Sequence, residues 1–175
     1  MIRTERLLLR PLHQDDLPHL QQYATRPEFY RYLPIVEQTP ETVAAFLEQR
    51  LAKAKENEKQ RWDFAIEPHG AGHLIGTIRL SIAQDRHTAD IGYGLNSDFQ
   101  GLGYMTEAVR AVLNFGFGEL GVHRISATTA VENIASCRVL EKVGMIQEGL
   151  LRQDKLVRGQ WCDSFLYAIL AGDVE

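Results

Sequence analysis

The amino-acid sequence predicts an α+β fold in which a mostly antiparallel sheet contains one parallel crossover. Strand-like segments dominate the first half of the chain and mix with helical segments later. A turn at 68–72 joins two strand-like segments as a hairpin, which favours antiparallel pairing. Between Thr88 and Val131, a strand, a long helix and a second strand follow one another. That order is typical of a crossover between parallel strands.

The strands are predicted from short segments that end at turn-forming residues. Pro68, Gly70 and Gly72 mark one such turn, and Arg158-Gly159-Gln160 joins the last two strands. In chain order, the predicted strands are Arg6–Leu12, Trp62–Glu67, Leu74–Ala83, Thr88–Leu95, His123–Val131, Met145–Val157 and Trp161–Leu170.

The helices are predicted from residues that are typical of helix ends. Pro18 lies in the first turn of one helix, where a missing N–H does little harm. Thr39 is a suitable N-cap, and Pro40 suits the first helical position. The predicted helices begin at Asp15, Thr39, Gly103 and Asn133, and the last three end at about Asn57, Leu120 and Gly144.

Length and composition are those of an ordinary globular protein. No repeat, low-complexity segment or Pro-, Gly- or Ser-rich linker interrupts the chain of 175 residues, which predicts a single domain over 1–175. Hydrophobic residues make up 45% and charged residues 24%, which argues against disorder, collagen and coiled coil. The net charge of -4 at pH 7 provides no basic excess of the kind that nucleic-acid binders carry.

The sequence shows no sign of export, membrane insertion or metal binding. No apolar run approaches the ~20 residues that span a bilayer, and Met1–Arg6 lacks the charged-then-apolar layout of a signal peptide. Cys137 and Cys162 form no CxxC pair, which fits a reducing compartment. We therefore expect a mature cytoplasmic protein. With neither HExxH nor paired CxxC in the sequence, no metal site is predicted.

A glycine-rich loop, Gln100-Gly101-Leu102-Gly103-Tyr104-Met105-Thr106, lies between a predicted strand and the long helix. Two glycines allow the backbone to turn and expose its N–H groups, and the helix start adds four unpaired N–H groups and a positive dipole end. Such a site suits a phosphate. The first carboxylate of this helix is Glu107, so no earlier acid competes with the anion. An ordinary turn with glycines for packing is the alternative interpretation.

A dinucleotide-binding Rossmann site would require G-x-G-x-x-G in a tight turn straight after the strand. Thr106 occupies the third glycine position, and the five residues Asn96–Gln100 separate Leu95 from Gly101. Both observations argue against that site.

Asp90 is a candidate site residue because of the strand face on which it lies. The period of two places Asp90, Gly92 and Gly94 on one face, opposite Ile91 and Tyr93. Two glycines on one face often mark close approach by a ligand or another backbone. A solvent-exposed carboxylate is the alternative interpretation of Asp90.

Ser136 is a second candidate, because it lies in the inward stripe of the last predicted helix. At 100° per residue, it shares an arc with Val139, Leu140 and Val143, one turn from the helix start. A hydroxyl that bonds to preceding carbonyls or helps the cap is the alternative interpretation.

Five groups of residues follow one another along nearly the whole chain. They are Thr4-Glu5-Arg6-Leu7-Leu8-Leu9-Arg10-Pro11, Ala89-Asp90-Ile91-Gly92-Tyr93, Gln100-Gly101-Leu102-Gly103-Tyr104, Thr106-Glu107-Ala108, and Glu132-Asn133-Ile134-Ala135-Ser136 with Leu140-Glu141-Lys142-Val143-Gly144-Met145. In this order they resemble the GNAT superfamily of acetyl-CoA-dependent N-acetyltransferases. More narrowly, they resemble its Rim-type branch, named for enzymes that acetylate the N-terminal amines of ribosomal proteins.

The resemblance implies a mixed sheet that is split between the two parallel strands and flanked by about four helices, with the pantetheine arm of acetyl-CoA in the split. The pyrophosphate would lie on the backbone amides of 101–106. The backbone at Leu95 and Asn96 would pair with pantetheine, and an N–H near Leu95 would serve the thioester carbonyl. Asn133 matches an asparagine that contacts the CoA arm, and Ser136 matches the residue proposed to protonate the leaving thiolate. The implied cofactor-binding residues are Leu95, Asn96, Gln100, Gly101, Leu102, Gly103, Tyr104, Met105, Thr106 and Asn133.

Three positions depart from the family pattern. Met105 stands where Gly or Ala is usual, so its side chain must point away from the phosphates. Asp90 replaces the usual Glu, and Lys155 aligns with a glutamate proposed as the base in one Rim-type enzyme. These departures leave the identity of the base open. Because Asp90 shares a strand face with Gly92 and Gly94, which leaves space for a substrate beside it, we predict that Asp90 takes the amine proton through water. Asp154, Asp163 and a purely water-mediated route are the alternatives.

The sequence thus predicts acetyl transfer from acetyl-CoA to a primary amine by direct attack. A protein N-terminus, ribosomal or other, is the best acceptor candidate, with polyamines and antibiotics as alternatives. We expect aromatic and basic residues of 23–36 and 153–162 to line the acceptor side. Two other classes stay open, namely an acyl-CoA-binding domain without catalysis and a different nucleotide-dependent enzyme such as a reductase. The oligomeric state also stays open, with a homodimer as one candidate.

Overall fold

The computed structural model of the protein describes residues 1–35, 37–54 and 60–173. Within these ranges the chain forms eight strands and five α-helices. The strands are β1 (Ile2–Arg3), β2 (Leu7–Pro11), β3 (Arg61–Pro68), β4 (Gly76–Ile82), β5 (Thr88–Leu95), β6 (Arg124–Ala130), β7 (Ile146–Val157) and β8 (Gln160–Leu170). The helices are α1 (Leu17–Ala24), α2 (Pro27–Tyr30), α3 (Pro40–Lys53), α4 (Tyr104–Gly118) and α5 (Ile134–Lys142). No helix in these ranges is long and apolar enough to cross a membrane.

One sheet contains all the described strands, in the order β1-β2-β3-β4-β5-β6-β8-β7. Neighbouring strands pair antiparallel, except for the parallel pair of β5 and β6. That pair joins only 88–90 to 124–126. Beyond it, β5 stays paired with β4 as far as Leu95, and β6 stays paired with β8 as far as Ala130. The sheet therefore opens between β5 and β6, and the predicted mixed sheet with one split parallel pair is confirmed.

Helices cover both faces of the sheet because strand residues alternate between the faces. On one face, α4 and α5 contribute Val112 and Leu140 to a core that also contains Ile91 and Ile125. On the other face, α1 and α3 pack around Ala65 in a smaller core. The opening between β5 and β6 thus lies between two separately packed layers.

A buried ion pair ties the start of α1 to the sheet. The Arg10 guanidinium donates to both carboxylate oxygens of Asp16, at 2.9 and 2.7 Å, and its Nε donates to Glu67 at 2.6 Å. Asp16 is 3% exposed. Because a buried carboxylate requires a partner, this contact fixes α1 over the second face.

The helices differ from the predicted set in one added helix and in shifts of about two residues at several boundaries. The α2 helix has only four residues, too few for a periodic pattern to reveal. The predicted end of α3 near Asn57 falls outside the described residues, within which α3 ends at Lys53. The predicted N-cap is confirmed, since the Thr39 side chain accepts a hydrogen bond from the N–H of Thr42 at 3.3 Å.

Candidate active site

A cavity of about 490 Å³ lies where the sheet opens. Its walls include 90–94 of β5 and 126–130 of β6. Ser136 and Leu140 of α5 line it from one face of the sheet, whereas Tyr23 and Arg50 line it from the other. Side chains from both layers therefore line the cavity. Its volume is in the usual range for a small-molecule site.

Ser136 and Tyr93 form a hydroxyl pair in the cavity wall. The Ser136 Oγ lies 2.9 Å from the Tyr93 Oη, within hydrogen-bond distance. The backbone N–H of Ser136 donates to the Oδ1 of Asn133 at 3.2 Å, which caps α5. The Ser136 hydroxyl therefore points towards β5 and the opening, and the cap of its helix is provided by Asn133 instead.

Tyr93 is a site residue that the sequence analysis missed. The two-residue period of the strand places Tyr93 on the same face as Ile91, where an aromatic side chain is most simply interpreted as part of the hydrophobic core. Burial raises the pKa of Tyr93 to about 12, although the hydrogen bond with Ser136 acts in the opposite direction. The hydroxyl thus keeps its proton at physiological pH and can donate it to Ser136. The one feature of the sequence that could have indicated a role for Tyr93 in the site was its position between Gly92 and Gly94.

The glycine-rich loop adopts the backbone that its sequence predicts. Gly101 and Gly103 have φ values of 77° and 82°, in the left-handed region that favours glycine. Gly103 is the N-cap of α4 and has no side chain to satisfy the first N–H groups. Those N–H groups lack intrahelical partners and form a partial positive charge at the helix start.

Arg6, which lies near the start of the chain, contacts this loop. Its Nη1 donates to the carbonyl of Leu102 at 2.9 Å, and its guanidinium lies 4.7 Å from the centre of the Tyr104 ring. Arg6 also binds Glu107, with an Nε–Oε2 distance of 2.7 Å. The β1–β2 connection therefore places the Arg6–Glu107 ion pair beside the loop.

Glu107, the first acid of α4, is neutralised by these contacts. Burial would raise the pKa of its carboxyl, but hydrogen bonds from Thr4 and Arg6, together with the guanidinium charge, hold that pKa below its usual value. Glu107 is thus ionised and paired at neutral pH. Its charge is balanced by Arg6, which leaves the start of α4 favourable for an anion.

The Met105 side chain is 6% exposed and points into the core, as predicted from the bulk of methionine at this position.

The backbone groups of Asn96 form hydrogen bonds within the chain. Its N–H donates to the carbonyl of Ile75 at 2.8 Å, and its carbonyl accepts from the N–H of Phe99 at 3.0 Å. The Asn96 side chain accepts from the N–H of Asp98 at 3.1 Å. The Gln100 side chain reaches the Leu95 carbonyl at 3.5 Å. Both backbone groups of Asn96 are therefore already paired within the chain.

Asp90 lies on the face opposite the hydroxyl pair. Its carboxylate is bound by the Arg79 guanidinium, whose Nη1 also donates to the Ser81 hydroxyl at 3.0 Å. The Asp90 side chain is 50% exposed. It is thus neither an isolated carboxylate nor the partner of Ser136.

Side chains of this chain fill the space beside the two glycines of β5. A Cβ at Gly92 would lie 2.9 Å from the Arg79 Nε, and a Cβ at Gly94 would lie 2.7 Å from the Phe29 ring. The close approach that the glycine pattern predicted is therefore made by Arg79 and Phe29.

The structure brings together only part of the predicted site. Asp90, Asn133 and Ser136 line the cavity. Leu95, the last residue of β5, lies outside the cavity wall, as do Asn96 and the loop 100–106 that follow it. The predicted cofactor-binding residues other than Asn133 thus form a second region, which follows the cavity-lining part of β5 in the chain.

The predicted acceptor-side residues separate into several groups. Those that line the cavity are Tyr23, Phe29, Tyr32 and Lys155. Arg26 instead binds Asp98 at 3.0 Å, and Arg158 donates to the carbonyls of Tyr30 and Arg31. Trp161 is 61% exposed on β8.

Among the described residues, no group of His, Cys, Asp or Glu has the arrangement of a metal site.

The architecture is shared with known acetyltransferases. A GNAT-family acetyltransferase from Bacillus anthracis, 32% identical, has a TM-score of 0.88 over 98% of both chains. The spermidine N-acetyltransferase from Vibrio cholerae, in complex with CoA and spermine, has a TM-score of 0.82 over 97% of this chain and 98% of that one. At 21% identity, this second likeness shows the fold alone.

Fold and site together define a protein of the acetyltransferase class. The ribosomal protein uS5 alanine N-acetyltransferase of Escherichia coli is 27% identical over 98% of this chain and 91% of its own length. Residues 6–146 match the acetyltransferase (GNAT) domain. The chain therefore belongs to the GNAT acetyltransferase family, and the resemblance read from its motifs is confirmed.

Proposed function

We propose that the protein transfers the acetyl group of acetyl-CoA directly to a primary amine, with a peptide N-terminal α-amine as the preferred acceptor. The hydroxyl pair Ser136–Tyr93, facing the opening between β5 and β6, is the observation that carries this proposal. The family supplies the reaction class, and the uS5 alanine enzyme supplies a precedent for an α-amine.

The two regions of the site, the loop 101–106 and the opening beside β5, bind different parts of acetyl-CoA. The amides of 101–106, with Arg6 beside them, bind the pyrophosphate. The pantetheine arm then follows β5, whose residues beyond Asp90 have no described partner strand on the β6 side. Since backbone groups alternate in direction along a strand, about half of those in 91–95 face the opening. This inner edge supplies hydrogen bonds to pantetheine and to the thioester carbonyl.

The hydroxyl pair acts on the leaving group. The neutral amine attacks the thioester carbon, and the electron pair of the breaking C–S bond passes to sulfur. The Ser136 Oγ–H protonates that sulfur, directly or through a water, and Tyr93 returns a proton to Ser136. Tyr93 regains its proton from solvent, to which the proton removed from the amine is finally released. The products are the acetylated amine and free CoA.

An α-amine suits a site without a strong base. Its pKa of about 7.7–8.0 leaves roughly a tenth or more neutral at pH 7, whereas a lysine amine is almost fully protonated. Asp90 is the acid that lines the cavity beside the opening, but it is already bound to Arg79. We propose that Asp90 accepts the amine proton through water.

Asp90→Asn is expected to lower kcat by about 100-fold and to shift or remove the acidic limb of the pH–rate profile. The substitution keeps the shape and removes the proton acceptor. Asp15→Asn, which removes an acid with a 90% exposed side chain, is the matched control and should leave the profile unchanged. If Asp90→Asn also leaves it unchanged, Asp90 serves only to hold Arg79, and Asp154 or Asp163 becomes the next candidate base.

The function is tested by incubating the protein with acetyl-CoA and a panel of amines while CoA release is measured. We expect short peptides with a free N-terminus to react faster than spermidine, and mass spectrometry to place the acetyl group on the α-amine. The same peptides with a blocked N-terminus are the control. Efficient turnover of spermidine without any peptide would show that the acceptor is a polyamine. Binding of CoA without any turnover would identify a non-catalytic acyl-CoA-binding protein.

A further inference from the structure

Three arginines meet in the cavity on the face opposite Ser136. Arg61 and Arg79 belong to the neighbouring strands β3 and β4, and Arg50 reaches them from α3. We call these three residues the arginine cluster. Asp63 and Asp90 are the acids that line the cavity near them. Three guanidinium groups therefore face two carboxylates.

Each of the two carboxylates forms an ion pair with one of the arginines. Arg61 binds Asp63 through two hydrogen bonds, from Nε at 2.7 Å and from Nη2 at 2.9 Å. Arg79 binds Asp90. Arg61 thus occupies both oxygens of Asp63, whereas Arg79 occupies one oxygen of Asp90.

Arg50 is left without an anion of its own. Its Nε lies 3.9 Å from the nearest oxygen of Asp63, too far for a hydrogen bond. Within the described part of the chain, this Nε is buried and has no hydrogen-bond partner. The Arg50 side chain is only 16% exposed, so solvent supplies little compensation.

Burial and the neighbouring arginines oppose the charge of Arg50, although its guanidinium carbon lies 4.8 Å from the centre of the Phe46 ring. Burial lowers the pKa of Arg50, the charges of Arg61 and Arg79 lower it further, and Asp63 only partly offsets them. An anion that enters the cavity would satisfy the free donor and reduce the repulsion among the arginines. Charge-assisted hydrogen bonds of this kind are stronger than neutral ones.

We propose that the arginine cluster binds a carboxylate carried by the acceptor itself, so that the preferred substrate is a primary amine with an acidic group close to it. This inference rests on the proposed function, because it places the amine in the same cavity as Ser136. In a peptide, the acidic group is the side chain that follows the N-terminal residue. In a small molecule, it is the carboxylate of an amino acid. A polyamine has no such group and would bring further positive charge to the cluster.

The first test compares the acetylation of the peptides Ala-Asp-Ala-Tyr and Ala-Asn-Ala-Tyr, which differ only in the charge next to the N-terminal residue. We expect the acidic peptide to have a kcat/KM about tenfold higher or more. Arg50→Gln should reduce this preference to within about twofold while the reaction of the neutral peptide continues. Arg138→Gln removes the same charge from an exposed position on α5 and should retain the preference. Free aspartate, measured in parallel, shows whether the carboxylate comes from a peptide or from an amino acid.

The second test does not depend on catalysis. Calorimetry measures the binding of the N-acetylated forms of the same two peptides to the wild type, to Arg50→Gln and to Arg50→Lys. We expect the acidic form to bind more tightly to the wild type, the advantage to vanish in Arg50→Gln, and part of it to return in Arg50→Lys, which restores the charge without the planar fork.

Equal rates and equal binding of the two peptides by the wild type would overturn the inference, as would an Arg50→Gln variant that loses both peptides to the same degree. Failure of the proposed function is recognised separately. In that case no amine is acetylated, whereas calorimetry still reports whether the arginine cluster prefers the acidic peptide.

Discussion

Gly103→Val is expected to weaken the binding of CoA by about 100-fold. Gly103 has a φ of 82° at the start of α4, a conformation that strains a β-branched residue by about 1–3 kcal/mol. A new Cβ would also lie 3.3 Å from the Arg6 Nη2, and the branched side chain would extend from it beside the amides proposed to bind the pyrophosphate. Relief of the strain would turn those amides away from the anion, so both effects reduce affinity.

Isothermal titration calorimetry with CoA measures this loss. Gly118→Val is the matched control, because Gly118 lies at the end of α4, has no positive φ and has open space around its missing Cβ. The control should bind CoA as the wild type does. Circular dichroism confirms that both variants are folded. Unchanged affinity in a folded Gly103→Val variant would mean that the loop 101–106 does not hold the pyrophosphate.

The second large effect is expected at the hydroxyl pair. Ser136→Ala should lower kcat by about 10- to 1000-fold, because the departing thiolate loses its proton donor. A thiol of pKa ~8.5 is already a fair leaving group, so the reaction should not be abolished. The KM for acetyl-CoA should change much less than kcat, since in the proposed mode of binding the loop 101–106 provides most of the affinity.

A double-mutant cycle separates a proton relay from two independent contacts. If Tyr93 supplies its proton to Ser136, Tyr93→Phe slows the reaction, and adding Ser136→Ala slows it little further. Tyr30→Phe removes a hydroxyl from a tyrosine outside the cavity wall and serves as the control. A kcat within twofold of wild type in Ser136→Ala would reduce Ser136 to a packing residue. Fully additive losses would show that Tyr93 acts independently of Ser136.

The sequence by itself determined most elements of this fold and their order, except for the short β1 and α2. The strand–helix–strand succession from Thr88 to Val131 predicted the parallel crossover that the structure contains. Gly101 and Gly103 predicted a loop of exposed amides, and the helical arc predicted that Ser136 faces inward. These features depend on local chemistry: side-chain period, helix caps, and positive φ values that glycine adopts without strain.

Contacts between distant segments were decided only by the tertiary structure. Ser136 meets Tyr93 across 43 positions of sequence, and Arg6 meets Glu107 across 101. The pairing of Asp90 with Arg79, which changes the meaning of a lone carboxylate, depends on the register of β4 against β5. The arginine cluster likewise exists only because α3 brings Arg50 over the sheet. Side-chain period assigns a residue to a face, but its partner on that face depends on strand register and helix packing, which bring together segments that are distant in the chain.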